Sequence, residues 1–208
     1  MKLTVLTERF VARWTLLGGQ VFYADDPADL PAALVEAAQA LVGGAEEAPP
    51  TVVAWETGDD AFRGWSTALS EPEWAYHGFS HGAEGVSSNG RPLSRDEARD
   101  LTARASLGIT GCAWAVADTG TVAVVGGAAG GLWPTLLPPA HLSVVRTGQI
   151  VGTVGDGLRA LAELARSRGR FPPMVKLISG PSSTADIEGQ LWVGVHGPAR
   201  VGVVLVAG

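Results

Sequence analysis

The sequence predicts an α/β fold with a mainly parallel sheet and helices on both of its faces. Strand-type and helix-type stretches alternate through the second half of the chain, the order that a parallel sheet with crossover helices requires. Hydrophobic residues make up 46% of the 208 and charged residues 17%, enough apolar material for a core and too little charge for a disordered chain. Glycine is plentiful, at 28 residues, as expected where many tight turns or close-fitting loops join the elements. The length fits one domain over residues 1–208, with an N-terminal helix–strand addition over residues 1–45.

From the amino end, Leu3, Leu6, Phe10, Trp14 and Leu17 recur at spacings of three and four. They mark one face of a helix that Gly18-Gly19 stops. Val21 to Tyr23 reads as a strand. Asp26-Pro27 and Asp29 open a second helix, which Gly43-Gly44 ends. Thr51 to Trp55 is a β-branched, buried-type strand, and Phe62, Trp65 and Leu69 suit a third helix. Glu71 to Pro92 is irregular and glycine-rich, so loop is expected there, with a turn at Asn89-Gly90. Ser94 and Glu97 make a capping box for a helix reaching about Ala105. Ile109 to Val116 and Thr121 to Val125 are two strands joined by Ala117 to Gly120, and a Gly/Pro loop runs from Gly126 to Pro139. A strand at Leu142 to Val145, a helix at Val154 to Ala165, and strands at Val175 to Ser179 and Val201 to Val206 complete the chain. In such sheets ligands bind at the carboxyl ends of the strands.

Composition excludes several function classes. A net charge of -6 and the lack of a Lys/Arg cluster argue against a nucleic-acid partner. The densest basic stretch, Arg166 to Arg170, falls at a helix end, where cations complement the dipole. One cysteine, Cys112, allows no internal disulfide and no four-thiolate iron–sulfur cluster within the chain, and it reads as a small buried hydrophobe. No apolar run approaches the ~20 residues that span a bilayer, and Glu8, Arg9 and Arg13 interrupt any secretory leader. A soluble, cytoplasmic protein is expected. No G-x-G-x-x-G follows an early strand, and there is no flavin signature. His77 and His81 have a metal-type spacing, but the glycines around them favour a surface loop over a metal site, so no metal is expected.

Four segments carry candidate chemistry, each with a plainer structural reading beside it. Gly180 to Glu188 follows a strand. Ser182, Ser183 and Thr184 are there either a capped turn or, with a helix start at Ser183 and Asp186, an anion site. Ala117 to Thr121 is a tight turn in which Asp118 is either a turn former or a base. His141, after Leu136 to Ala140, is a structural hydrogen-bond partner or a general base. His196 sits between Gly194-Val195 and Gly197-Pro198, where small residues let a backbone approach a ligand. Trp133 and Trp192 lie in or near these loops, lining a pocket, meeting a partner or simply packing locally.

Taken in order, Gly108-Ile109-Thr110-Gly111, Ala117 to Thr121, Leu136 to His141, Gly180 to Glu188 and Gly194 to Pro198 resemble the motifs of the LUD-domain (lactate-utilisation) family. The resemblance covers the motif-bearing half, residues 105–208. Length and the lack of a cysteine-rich extension resemble the C-type branch of that family rather than its longer B-type relatives. The resemblance implies the Rossmann-like fold of ribose-phosphate isomerases, glucosamine-phosphate deaminases and CoA transferases. It also implies a place in a three-component system that oxidises L-lactate to pyruvate. There this chain would be a subunit without its own redox cofactor, and its partners would carry the iron–sulfur clusters.

One cleft is expected to gather Asp118, His141, Glu188 and His196 as catalytic residues. Thr119, Gly120, Thr121, Gly180, Ser182, Ser183 and Thr184 are expected to bind an anionic small molecule there. The alternative is a stand-alone enzyme or sensor for a small phosphorylated or CoA-linked ligand, by fold analogy.

Overall fold

The computed structural model describes residues 4–43, 49–55, 68–69, 74–82, 85–88, 91–126, 132–185 and 190–208. The chain runs α1 (Val5–Leu16), β1 (Gln20–Ala24), α2 (Leu30–Val42), β2 (Thr51–Trp55), β3 (Ala75–Gly82), β4 (Gly85–Ser88), β5 (Arg91–Leu93), α3 (Arg95–Ala103), β6 (Leu107–Gly111) and β7 (Trp114–Val116). It continues through β8 (Thr121–Val125), β9 (Ala140–Arg146), β10 (Ile150–Val151), α4 (Val154–Ser167), β11 (Val175–Ile178), β12 (Ser183–Ala185), β13 (Leu191–Val193) and β14 (Arg200–Val206). The main sheet has the order β1-β14-β9-β6-β2-β3-β4-β5. Its first six strands are all parallel, and β4 and β5 are added antiparallel at one edge. A smaller sheet, β10-β7-β8-β11, lies in a second layer, and β12 and β13 form a hairpin. The result is the Rossmann-like α/β sheet, helix-covered on both faces, that the sequence predicts.

Strands buried on two faces need a cover on each. On one face, Phe22, Val52, Ala54, Leu107, Ile109, Leu142, Val144 and Val204 pack against Leu34, Ala37, Ala38 and Leu41 of α2. This helix is apolar enough that burying Leu34 alone stabilises the fold by about 1.5–3 kcal/mol. On the other face, Val145, Val201, Val203 and Leu205 meet Phe10 and Trp14 of α1 together with Ala115, Val122 and Val124 of the second sheet. Further along that face, Ala98 and Leu101 of α3 pack on Val53 and Phe79. Ala160, Leu161 and Leu164 of α4 cover the outer side of the second sheet at Trp114, Val116 and Ala123. The predicted N-terminal addition is thus woven in: β1 pairs with β14, and α2 lies over that neighbourhood.

Local signals work as the sequence implies. Ser94 Oγ accepts from the Glu97 N–H at 3.2 Å and Glu97 Oε2 accepts from the Ser94 N–H at 2.8 Å, closing the box that starts α3. A second box, Thr153 with Asp156, starts α4.

Three expectations need correction. Ile109 to Val116 is not one strand. β6 ends at Gly111 in the main sheet and β7 begins at Trp114 in the smaller one. The chain crosses layers at Cys112-Ala113, where the Gln149 side-chain amide donates to the Cys112 carbonyl at 2.6 Å and the Ala113 N–H donates to Ala123 O at 2.9 Å. Glu71 to Pro92 is not simply loop. β3, β4 and β5 make a meander on β2, so His77 and His81 stand in a strand. Sheet pairing overrides the weak propensity of its glycines. Ser183 opens no helix; it starts β12. The helix expected around Phe62 and Trp65 and the turn at Asn89-Gly90 lie outside the described residues.

Gly108 in β6 fixes how the loop before β9 sits. A Cβ there would lie 1.9 Å from the Pro134 carbonyl oxygen and 2.9 Å from its Cα. A backbone carbonyl cannot swing aside as a flexible side chain can. Gly108→Ala is therefore expected to destabilise the protein by about 1–3 kcal/mol in urea unfolding; a loss below ~0.5 kcal/mol would mean that the Pro134 turn is not seated on this strand.

Candidate functional site

Three loops are laced together at the amino ends of β9 and β14. The Ala199 and Arg200 N–H groups both donate to Pro139 O, at 3.0 and 3.3 Å; the Ser182 N–H donates to Pro198 O at 2.9 Å; and the Gly194 N–H donates to Ser182 O at 2.8 Å. Gly180 turns the chain out of β11 with φ 92°, and a Cβ there would lie 2.6 Å from the Leu17 carbonyl oxygen, so the turn requires glycine. These contacts enclose a cavity of about 330 Å³ lined by His141, Lys176, Ser179, Ser182, Ser183 and His196, with Thr135, Gly180 and Gly197.

His141 is 1% exposed and shares a 3.0 Å hydrogen bond, through Nε2, with the Thr110 hydroxyl. Burial, and secondarily the charge of Lys176, push this imidazole down to about 3, so it is neutral at pH 7. Lys176 donates to Thr135 O at 2.5 Å, and burial lowers its ammonium to about 8. No acidic residue lines the cavity among the described residues. The site therefore offers one cation, several hydroxyls and two imidazoles, a set suited to holding a small anion.

Of the residues expected at one cleft, His141, Gly180, Ser182, Ser183 and His196 come together here. Asp118, Thr119, Gly120, Thr121 and Thr184 are not among the cavity-lining residues. Asp118 pairs instead with Arg9 of α1 at 2.5 Å; both side chains are more than two-fifths exposed, so the pair contributes about 0–1 kcal/mol. Gly120, at φ 58°, makes the tight turn beside it. The turn still touches the site: Thr119 Oγ1 and Thr121 Oγ1 lie 2.7 Å apart, and Thr121 Oγ1 lies 2.7 Å from Ser179 Oγ. Thr184 pairs with Trp192 in the exposed hairpin. Glu188, like Asp186, lies outside the described residues.

The position of the cleft also corrects the sequence expectation. His141 is the second residue of β9, and Val201, which also lines the cavity, is the second residue of β14; this is the amino end of the parallel strands, not the carboxyl end. Lys176 was missed, although it has a signal: it is one of two lysines in the chain and interrupts the apolar run Val175 to Ile178. Among the described residues, no cluster of three or more His, Cys, Asp or Glu is arranged to hold a metal ion, and no helix is long and apolar enough to cross a membrane.

The family model described as LUD domain matches residues 7–206. The chain belongs to the LUD-domain family. Relatives named lactate utilization protein C include one from Deinococcus radiodurans, 44% identical over 104 residues (50% of this chain, 47% of the relative). Another, from Halalkalibacterium halodurans, is 37% identical over 103 residues, covering 50% and 45%. The LUD-domain chain thus spans about half the length of the curated relatives it matches. A crystal structure of a DUF162 family protein from Deinococcus radiodurans superposes with a TM-score of 0.58 at 27% identity, covering 97% of this chain and 96% of that one.

Because the folded chain holds His141 near 3 against an ordinary 6.5, the folded state binds fewer protons between those values. The stability this gives is complete above pH 6.5 and is lost as pH falls toward 3. His141→Gln is expected to flatten the acid limb of the unfolding free energy, removing on the order of 3 kcal/mol of its drop between pH 7 and pH 4. An unchanged slope in the variant would assign the acid sensitivity to another group.

Proposed function

We propose that this chain acts in the use of L-lactate. In this reading it is a subunit without a redox centre of its own, in an assembly whose partners hold iron–sulfur clusters and oxidise L-lactate to pyruvate. The observation that carries the reading is the LUD-domain match over residues 7–206, together with relatives named lactate utilization protein C. The chain's own chemistry supports it. Cys112 is the sole cysteine, is buried, and burial pushes its thiol up to about 12; a thiol held protonated is neither a good metal ligand nor a redox partner. In this division of labour electrons pass through the partners.

The role of the cavity is to hold a small carboxylate. The Lys176 ammonium supplies the charge, and Ser182 and Ser183 supply hydroxyl donors. Neutral His141, tied to Thr110, gives or receives a hydrogen bond without adding charge, and His196 stands at the exposed side of the lining. Lactate and pyruvate are both monocarboxylates small enough for about 330 Å³. The same cation and hydroxyls also support a second reading, in which a stand-alone enzyme or sensor binds a small phosphorylated ligand there.

The rim of the cavity is apolar. Leu136, Leu177, Trp192, Val193 and Val195 are each at least 38% exposed and stand on or beside its lining segments. Exposed apolar side chains gathered in this way mark a protein contact, and in this reading an iron–sulfur partner covers them.

Lactate-dependent dye reduction should appear when the chain and its iron–sulfur partners are combined and should vanish when the chain is omitted; activity of the chain alone would overturn the subunit reading. Trp192→Glu should remove activity by preventing assembly while leaving the chain folded. Pyruvate binding by calorimetry should weaken by about tenfold or more between pH 7 and pH 10 as Lys176 loses its proton, and Lys176→Met should bind weakly at every pH. A flat pH profile would remove Lys176 from the site.

A further inference from the structure

Lysine is rare in this chain. Two of its 15 basic residues are lysines, and fixed positive charge is elsewhere supplied by arginine, as in the ion pairs of Arg9, Arg91, Arg99 and Arg159. Yet the cation in the His141 cavity is Lys176. For holding a carboxylate alone arginine is the better residue, because its planar fork binds both oxygens and keeps its proton at every working pH. What lysine adds is a nitrogen that becomes a nucleophile once its proton leaves.

The surroundings of Lys176 favour that loss. Its Nζ donates to the Thr135 carbonyl, a neutral acceptor, and among the described residues no carboxylate lines the cavity to hold the ammonium charged. Burial lowers the group to about 8, so a share of it is free amine near neutral pH. Leu136, Ile178, Pro181, Pro198 and Val201 give the same cavity apolar walls, which disfavour the water that would hydrolyse a C=N bond. Ser182 and Ser183 stand in the lining as hydroxyls that both donate and accept.

On the reading of this cavity as a small-carboxylate site, we propose that Lys176 captures an α-keto acid there as a covalent imine. The ammonium first draws in the carboxylate. After the nitrogen gives up one proton, its lone pair attacks the keto carbon; a C–N bond forms and the carbonyl pair moves to oxygen. That oxygen collects two of the three ammonium protons, passed on by the serine hydroxyls, and leaves as water while the C=N bond closes. The third proton stays on nitrogen, so the product is an iminium whose positive charge still faces the carboxylate. No electrons are gained or lost overall, in keeping with a subunit that has no redox centre. Pyruvate qualifies through its keto carbon. Lactate, with a hydroxyl there, does not, and is held by charge and hydrogen bonds alone.

The full chain is incubated with pyruvate and sodium cyanoborohydride, which reduces an iminium to a stable secondary amine. Intact mass and peptide mapping are expected to show a single carboxyethyl group, on Lys176. Lactate with the same reductant should leave no label. Lys2→Arg, which changes the other lysine, should label as the wild type does, and Lys176→Arg, which keeps the charge, should lose the label. Calorimetry on the wild-type chain without the reductant separates the two ways of failing. If pyruvate and lactate bind but Lys176 takes no label, or the label falls on Lys2 or the amino terminus instead, the imine is overturned and the carboxylate site stands. If neither acid binds at millimolar concentration, the carboxylate reading fails and the imine with it.

Discussion

The structure depends on the demand that a strand buried on both faces makes for two covers. β9 and β14 run through the middle of the main sheet with almost every residue out of water. One helix, α2, suffices on one side. On the other, α1 is too short to cover the sheet by itself, and the chain recruits a second sheet, held by Ala115, Val122 and Val124. That second layer brings β8 and β11 over the main sheet, so the His141–Lys176 cavity and a larger one of about 650 Å³ beside Thr110 and Gly111 are both bordered by residues of the seam between layers. The sites are a product of how the core is closed.

The seam also explains the unusual electrostatics. Lys176 and His141 approach each other because β11 belongs to the upper layer and β9 to the lower one. Burial disfavours charge on both groups, and the lysine, being only partly buried, keeps its proton at neutral pH while the imidazole gives its own up. The outcome is a single positive charge facing a neutral ring, set by relative depth and not by a salt bridge.

Much of the fold was legible in the chain. Periodicity located α1 and α4, β-branched runs located β2 and β14, and Ser94 with Glu97 located the start of α3. What failed did so for physical reasons. Ile109 to Val116 is apolar throughout because both layers are buried, so nothing in its pattern marks the crossing between them. The glycines of residues 71–92 lower strand propensity, but pairing with β2 decides the matter. The five site residues that meet in one cavity were readable as motifs, because turns and polar runs stand out against an apolar background. Lys176 was not singled out, because its role depends on Thr135 and His141, which are distant in sequence. From its turn Asp118 reads as either a turn former or a base, and only the fold reveals Arg9 beside it.

The Thr110–His141 hydrogen bond has one more implication. Thr110 lines the larger cavity and His141 the smaller, and a threonine hydroxyl has a single proton to give. If a ligand in the larger cavity takes that proton, the imidazole can keep its bond only by moving its own hydrogen onto Nε2. The other ring nitrogen then changes from donor to acceptor. Occupancy at one end of the sheet would thus be written as a tautomer at the other, and thermodynamic reciprocity requires that each ligand alter the affinity of the other by the same factor.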